Sequence, residues 1–422
     1  MSATDYTQQT YRLLEWRKQG CLGGKIIMFD IKKEVAELEK ELIALRRDFH
    51  EYPELGYQEF LTSKKVCGYL TALGLEVKTV TITGVVATLK GGATSENSKT
   101  ILLRADMDAL PVTENTGLSF ASKNPGVMHA CGHDAHLAIQ LIAAKLLCRH
   151  KDKLKGNVKF VFQPNEEEAG ALKMIEAGVL ENPHVDAALA LHLWSPIETG
   201  RIGLSEGPIL GTTEEFELEI IGKAGHTSTP HTAKDALLGA CSVVHAVQQL
   251  GTREFNPLLP ISVMFGFING GTARNIITET VKLGGTIRFL FPDEERNKPK
   301  VLEAFERVIK GTCIANDLEY KLTYIPSNPS LFNNSEMVSL VKDAAFEVFE
   351  TRDNVDDFRS LAGEDFAEFS HRVPSVMTWI GIADADKKSN FPHHHAQFDI
   401  DESMMKYGVE LQVRSVLAYL NK

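Results

Sequence analysis

The stretch HACGHDAH, residues 129–136, sets three histidines, a cysteine and an aspartate in eight consecutive positions, in a chain of 422 residues with 14 histidines and 6 cysteines. Four more places carry the same residue types: RADMD (104–108), NEEE (165–168), His192 and FPHHH (391–395). Several carboxylates and a thiolate gathered at one point repel each other unless a cation neutralises them. Cysteine, histidine and glutamate together are borderline-soft donors, which suit Zn²⁺, or Mn²⁺ or Co²⁺, better than Mg²⁺. Taken singly, each stretch has a plainer reading. Cys131 near a helix start is buried filler; Glu166-Glu167-Glu168 is charge at a helix N-terminus; His192 is a satisfied core histidine; FPHHH is a solvated loop. Their joint placement is what calls for a metal.

That placement comes from the elements. Strand-like runs GVVATLK (84–90), TILLRADM (100–107), NVKFVFQ (157–163), DAALALHLW (186–194) and SVMTWIGIA (375–383) alternate with helical patterns. The helical stretches include 31–49, with Val35, Leu38, Leu42 and Leu45 on one face, and 136–150. This order predicts a mixed, mostly parallel α/β sheet covered on both faces. In such sheets sites form beyond the carboxyl ends of the strands. The polar clusters follow that rule: RADMD ends one strand, NEEE follows another, His192 closes a third and FPHHH follows the last. HACGHDAH leads into a helix whose N-terminal dipole favours a thiolate.

The middle of the chain reads differently. A strand at 214–222, a helix at 234–250, strands ISVMFGFING and VKLGGTIRFL, a helix at 294–311 and a strand LEYKLTYI follow in turn. That order predicts a ferredoxin-like α+β unit. We therefore expect one domain in two parts, 30–210 and 328–422, with a second domain inserted at 211–327. A chain of this length also exceeds what a single core usually supports.

Composition narrows the partners. With 43% hydrophobic and 24% charged residues and no low-complexity tract, the chain is ordinarily globular, and a net charge of −11 argues against nucleic acid or an anionic membrane. No run approaches the ~18 apolar residues of a membrane span. Cysteines 21, 67, 131, 148, 241 and 313 show no disulfide framework, so we expect free thiols in a reducing cytoplasm. The N-terminus lacks the apolar core of a signal peptide. In a bacterial gene, Gly-Gly-Lys upstream of Met28 is also what a purine-rich ribosome-binding site encodes. Residues 1–27 are thus either an annotation extension or a short N-terminal arm.

Beyond the donors, the ordered series RRDFHEYPELGYQEFLT (46–62), LLRADMDALPVTENTG (102–117), MHACGHDAHLA (128–138), FQPNEEEAG (162–170), LHLW (191–194), GKAGHTSTPH (222–231), NIITE (275–279), AGEDF (362–366) and FPHHHAQFDIDE (391–402) resembles a known group. It is similar to the dinuclear metal-dependent amidohydrolases: N-acyl-amino-acid amidohydrolases, hippurate hydrolases and indole-acetyl-amino-acid hydrolases of the zinc aminoacylase–carboxypeptidase family. The resemblance implies that 30–210 and 328–422 form a zinc-exopeptidase-type catalytic domain holding two divalent ions, Zn²⁺ or else Mn²⁺ or Co²⁺, and that the inserted 211–327 segment is a lid and dimerisation domain through which a homodimer forms. By motif position it implies Cys131, His133, Glu167, His192 and His394 as metal ligands and Glu166 as general base. His226 of the lid would be an oxyanion donor, often from a partner subunit. Asp108 and Asp134 would orient ligands from behind. Three departures stand out: Asn165 where relatives usually carry Ala, Glu168 where they usually carry Gly, and Ala396 where they commonly carry Pro.

The implied reaction is hydrolysis of the amide bond of an N-acyl amino acid, with Asn275 and Arg288 pairing the α-carboxylate of the product. A dipeptidase or carboxypeptidase with the same metals is the neighbouring reading. A non-catalytic binding homologue would be expected to have lost the base or a ligand, and all are present. No Gly-rich phosphate loop supports a nucleotide-dependent enzyme.

Overall fold

The computed structural model describes residues 29–95 and 98–421; residues 1–27 lie outside them. Its central sheet contains β1 (Glu76–Val80), β2 (Gly84–Leu89), β3 (Thr100–Asp106), β4 (Asn157–Gln163) and β5 (Ala187–Glu198). The order is β1-β2-β4-β3-β5, followed by Ser375–Ala383, Ile202–Gly203 and Val355–Asp356. β3 runs parallel to β4 and β5, and β5 parallel to Ser375–Ala383, while β1 and β2 add an antiparallel edge. Apolar runs such as TILL and FVF form these strands because both faces are covered. One face packs α1 (Ile31–Glu51), α2 (Phe60–Ala72), α3 (His133–Arg149) and the helix Met405–Leu420. The other packs Met174, Phe366, Phe369 and Trp379.

Two elements exceed their sequence expectation. α3 begins at His133, three residues early, because Gly132 takes φ +94° and turns the chain into the helix there. β5 continues to Glu198, so His192 lies within the strand instead of at its end. Its parallel partner carries it on, with Trp194 opposite Gly381 and, past a bulge, Glu198 opposite Ala383.

A second sheet has four antiparallel strands in the order Ile261–Gly270, Thr280–Phe289, Thr212–Ile221, Glu319–Pro326. With helices Ala236–Val247 and Glu294–Ala315 this is the ferredoxin-like arrangement. Alternation does the sorting: Phe216, Leu218 and Ile220 face the helices, while Glu215 and Glu217 face outward.

α1 is tied to the rest by one buried cation. Asp30 caps its start, accepting from the Lys33 amide, and Val35, Leu38, Leu42 and Phe49 bury its apolar stripe. Arg46, 1% exposed, donates to Asp134 at 2.9 Å, Asp399 at 2.7 Å and Glu402 at 3.1 Å. Arg46→Ala strands three carboxylates around a vacated site and should cost about 3–5 kcal/mol, read as a lower urea midpoint. Lys32→Ala removes an exposed pair with Glu350 and should leave the midpoint unchanged.

Candidate metal centre

The base and ligand candidates of the NEEE turn are held by their own backbone. Asn165 sits at φ +56°, a left-handed turn that an asparagine tolerates. The amides of Glu166 and Glu167 donate to the two oxygens of Asp108 at 3.0 and 3.1 Å. The amide of Asn165 donates to buried Glu59 at 3.0 Å, which also accepts from Thr83. Three successive N–H groups are thus taken by two carboxylates, which orients the turn.

The histidines are likewise oriented from behind. His133 donates through Nδ1 to the carbonyl of Asp108 at 2.9 Å, leaving Nε2 buried without a hydrogen-bond partner. That Nε2 lies 3.8 Å from Asp106 and 4.0 Å from Glu166. His192 donates Nδ1–H to the carbonyl of Leu193, so Nε2 faces the Cys131 sulfur at 3.5 Å. His394, at φ +65°, faces Glu167 at 3.3 Å and donates its backbone amide to Ala130.

Donor atoms converge in sets that each lie within 4.8 Å: Cys131 with His133 and His192, Cys131 with Glu167 and His394, and His133 with Glu166 and Glu167. The sulfur of Cys131 belongs to two of these sets. Burial and the charge of Glu167 push the Cys131 thiol up, and burial with Glu364, Glu167 and Asp365 pushes the Glu166 carboxyl well above the usual carboxylate range. His394, facing Cys131 and Glu167, is driven up to about 10. An orphaned buried imidazole nitrogen amid anionic soft donors fits divalent ions, and Cys131, His133, Glu167, His192 and His394 are the residues that would hold them.

Of the two aspartates expected behind the donors, Asp108 contacts His133 through its carbonyl and the Glu166 and Glu167 amides through its carboxylate, whereas Asp134 contacts none of the candidate ligands. Asp134 points away toward α1, where Arg46 and His50 (2.7 Å) take its carboxylate. The carboxylate behind the cluster is Asp106, which meets His136 at 2.7 Å and Arg104 at 2.6 Å. The Nε2 of His136 accepts from the Leu193 amide. Arg104, fully buried, also donates to Gln163, Glu364 and Asp365. A lone arginine in an otherwise apolar strand was the sequence signal for this clamp. His393 was also missed: its Nε2 accepts from the Ser195 amide, and its Nδ1 lies 3.7 Å from Cys131. Burial, with His394 and His136 adding to it, lowers its pKa to about 3. The extra carboxylate of Glu168 is exposed; Glu364 and Asp365 are the added charges that act on Glu166.

A cavity of about 430 Å³ opens over the cluster, with Trp194, Leu210 and Trp379 on its apolar side and Thr213, Glu215 and Arg288 reaching in from the second sheet. Arg288 donates to Thr213 at 3.2 Å and to the Leu361 carbonyl at 3.0 Å. His226 and Asn275 do not reach this cavity in their own chain. They sit beside each other, His226 paired with Ile276 and hydrogen-bonded to Ser228, near a separate hollow lined by Thr227 and Arg274.

A mixed sheet with soft donors and a buried glutamate at its carboxyl edge, covered by a second sheet, is the layout of a metal-dependent hydrolase. The chain belongs to Peptidase family M20/M25/M40, whose profile matches residues 102–418. It is 39% identical over 371 residues to the N-acetyl-L-cysteine deacetylase of Bacillus subtilis, covering 87% of this chain and 86% of that one. It is 35% identical to thermostable carboxypeptidase 1 of Saccharolobus solfataricus, covering 93% and 98%. The crystal structure of Bacillus subtilis YXEP, a dinuclear metal-binding peptidase of the M20 family, superposes with a TM-score of 0.79 at 31% identity, covering 92% and 99%. No helix among the described residues is long and apolar enough to cross a membrane.

Elemental analysis separates the two aspartates. Cys131→Ala and His133→Ala should lower metal bound per chain, and Asp106→Asn should weaken metal affinity by about 10–100-fold. Asp134→Asn should lower stability while keeping the full metal complement.

Proposed function

We propose that this protein hydrolyses the amide bond of N-acyl amino acids, releasing a carboxylic acid and a free amino acid. The observation that carries the reading is a buried carboxyl, Glu166, beside two donor sets that share Cys131, with the free edge of Arg288 across the same cavity. Two divalent ions, zinc or else manganese or cobalt, when bound supply Lewis-acid polarisation and make hydroxide available near neutral pH.

The chain's own groups do the rest. Glu166, held by the Asp108 contact to its amide, takes the proton of the attacking water and returns it to the leaving nitrogen. Its raised proton affinity places it nearer the working range of such an acid–base group than an exposed glutamate. The guanidinium of Arg288 pairs with the α-carboxylate of the leaving amino acid. Trp194, Trp379 and Leu210 offer the acyl group an apolar wall. The 211–327 segment serves as lid over the catalytic parts 30–210 and 328–422. Because His226 and Asn275 miss their own cleft, a second copy delivers them, His226 as oxyanion donor and Asn275 to the carboxylate. The substrate is a small molecule met in the cytoplasm, and neither nucleic acid nor membrane takes part.

Glu166→Gln should keep both metals and lose turnover by about 10²–10⁴-fold. Retained turnover would remove Glu166 from the role. The substrate panel is N-acetyl, N-benzoyl and indole-acetyl amino acids beside dipeptides, assayed with metal and with chelator. Release confined to dipeptides would assign the protein to the peptidase side, a reading favoured by its likeness to a carboxypeptidase. His226→Ala should cost about 10²–10³-fold in kcat. Mixing the Glu166→Gln and His226→Ala proteins should restore part of the activity, and no recovery would place His226 outside a shared site.

A further inference from the structure

The wall of the cleft that faces the leaving amino acid carries an acid with no partner. The strand Thr212–Ile221 turns three glutamates outward, and two of them have cations on the flanking strands. Glu219 lies opposite Lys282 and Lys321, 3.7 Å from the latter, and Glu217 is one step diagonal to both lysines. Buried Glu214, on the other face, pairs with Lys298. Glu215 differs. Its cross-strand neighbours are Thr286 and Ile325, and among the described residues it forms no ion pair. It is also the one of the three outward glutamates that lines the cavity over the metal cluster.

Its nearest cation by register is Arg288. Arg288 lies opposite Thr213, so Glu215 and Arg288 form a diagonal pair on the same face of the sheet, with backbones roughly 7–8 Å apart. They do not bond to each other. Arg288 is turned toward Thr213 and the Leu361 carbonyl, with its remaining N–H groups left for a ligand. An unpaired carboxylate and a guanidinium with free N–H groups therefore stand as diagonal neighbours on one face, both lining the cavity. Of the other glutamates that line the cavity, Glu166 and Glu167 belong to the donor cluster, and Glu364 is already committed to Arg104 and the Phe366 amide.

We propose that Glu215 is a specificity-determining residue that binds a cationic side chain, so that the preferred substrates are Nα-acyl derivatives of basic amino acids of the lysine and ornithine class. This rests on the N-acyl amino acid reading above. The α-carboxylate lies on Arg288, the side-chain ammonium reaches Glu215, and the scissile amide is directed toward Glu166. A neutral side chain leaves Glu215 solvated and gains nothing from it. An acidic side chain is repelled.

The test uses the metal-loaded full chain with Nα-acetyl-lysine, Nα-acetyl-ornithine, N-acetyl-norleucine and N-acetyl-glutamate. The wild type should show kcat/KM for the lysine and ornithine substrates roughly tenfold above norleucine, about one charge-assisted hydrogen bond in a partly dried cleft. Glu215→Gln should collapse that ratio toward one, chiefly through KM, and Glu215→Lys should reverse it in favour of N-acetyl-glutamate. A wild-type ratio near one, or a ratio that Glu215→Gln leaves intact, overturns the assignment while the amidohydrolase reading stands. Failure to release amino acid from any of the four, alongside turnover of dipeptides, removes the N-acyl reading and this inference with it.

Discussion

Acidic and thiol groups buried within a few ångströms of each other tend to drive a fold apart, and this repulsion is the constraint that the catalytic half of the protein is built around. The carboxylates nearest the donors are bonded to something rigid. Asp108 accepts two consecutive backbone amides, Glu59 a third, and Asp365 the Ala171 amide together with Gln163 and Arg104. Arg104 collects three acids from one buried guanidinium. What these bonds leave uncompensated is concentrated at Cys131, Glu166 and Glu167, where a divalent charge has the most to neutralise. The fold thus pre-pays the electrostatic cost of the site with backbone donors, which cannot rotate away as side chains can.

Much of this was legible in the sequence because it follows from a few local rules. Long apolar runs marked the buried strands, and the carboxyl-end rule brought RADMD, NEEE and FPHHH to one rim before any contact was known. Alternation in EEFELEII told the two faces of the second sheet apart. What was not legible shares one cause, which is that the direction of a side chain depends on distant partners. Asp134 and His136 sit two apart at the start of α3, and only the packing of α1 determines which turns to Arg46 and which to Asp106. The three histidines at 393–395 are separated by the left-handed backbone at His394, a conformation that no composition signals. Glu168 lies two residues from Glu166 in sequence yet is exposed, while Glu364 acts on Glu166 from about two hundred residues away.

The second sheet contributes by register rather than by motif. A two-residue periodicity fixes which of its side chains face the cleft, so Thr213, Glu215 and Arg288 arrive together on one face, while Phe216 and Leu218 hold the other against the helices. A one-residue slip would exchange the two sets. The chemistry of the opening is therefore coupled to the core packing of a sheet that supplies none of the metal donors.

The donors are also unevenly spread along the chain. Cys131, His133, Glu167 and His192 come from the first half of the sheet, whereas His394 follows the strand Ser375–Ala383, which inserts beside β5 only after the whole second sheet has been traversed. Closing so long a loop costs little equilibrium stability, since its entropy grows only logarithmically with length, but such non-local pairings form late. The rim that brings His394 to Cys131 and Glu167 is complete only once the strand Ser375–Ala383 has docked beside β5.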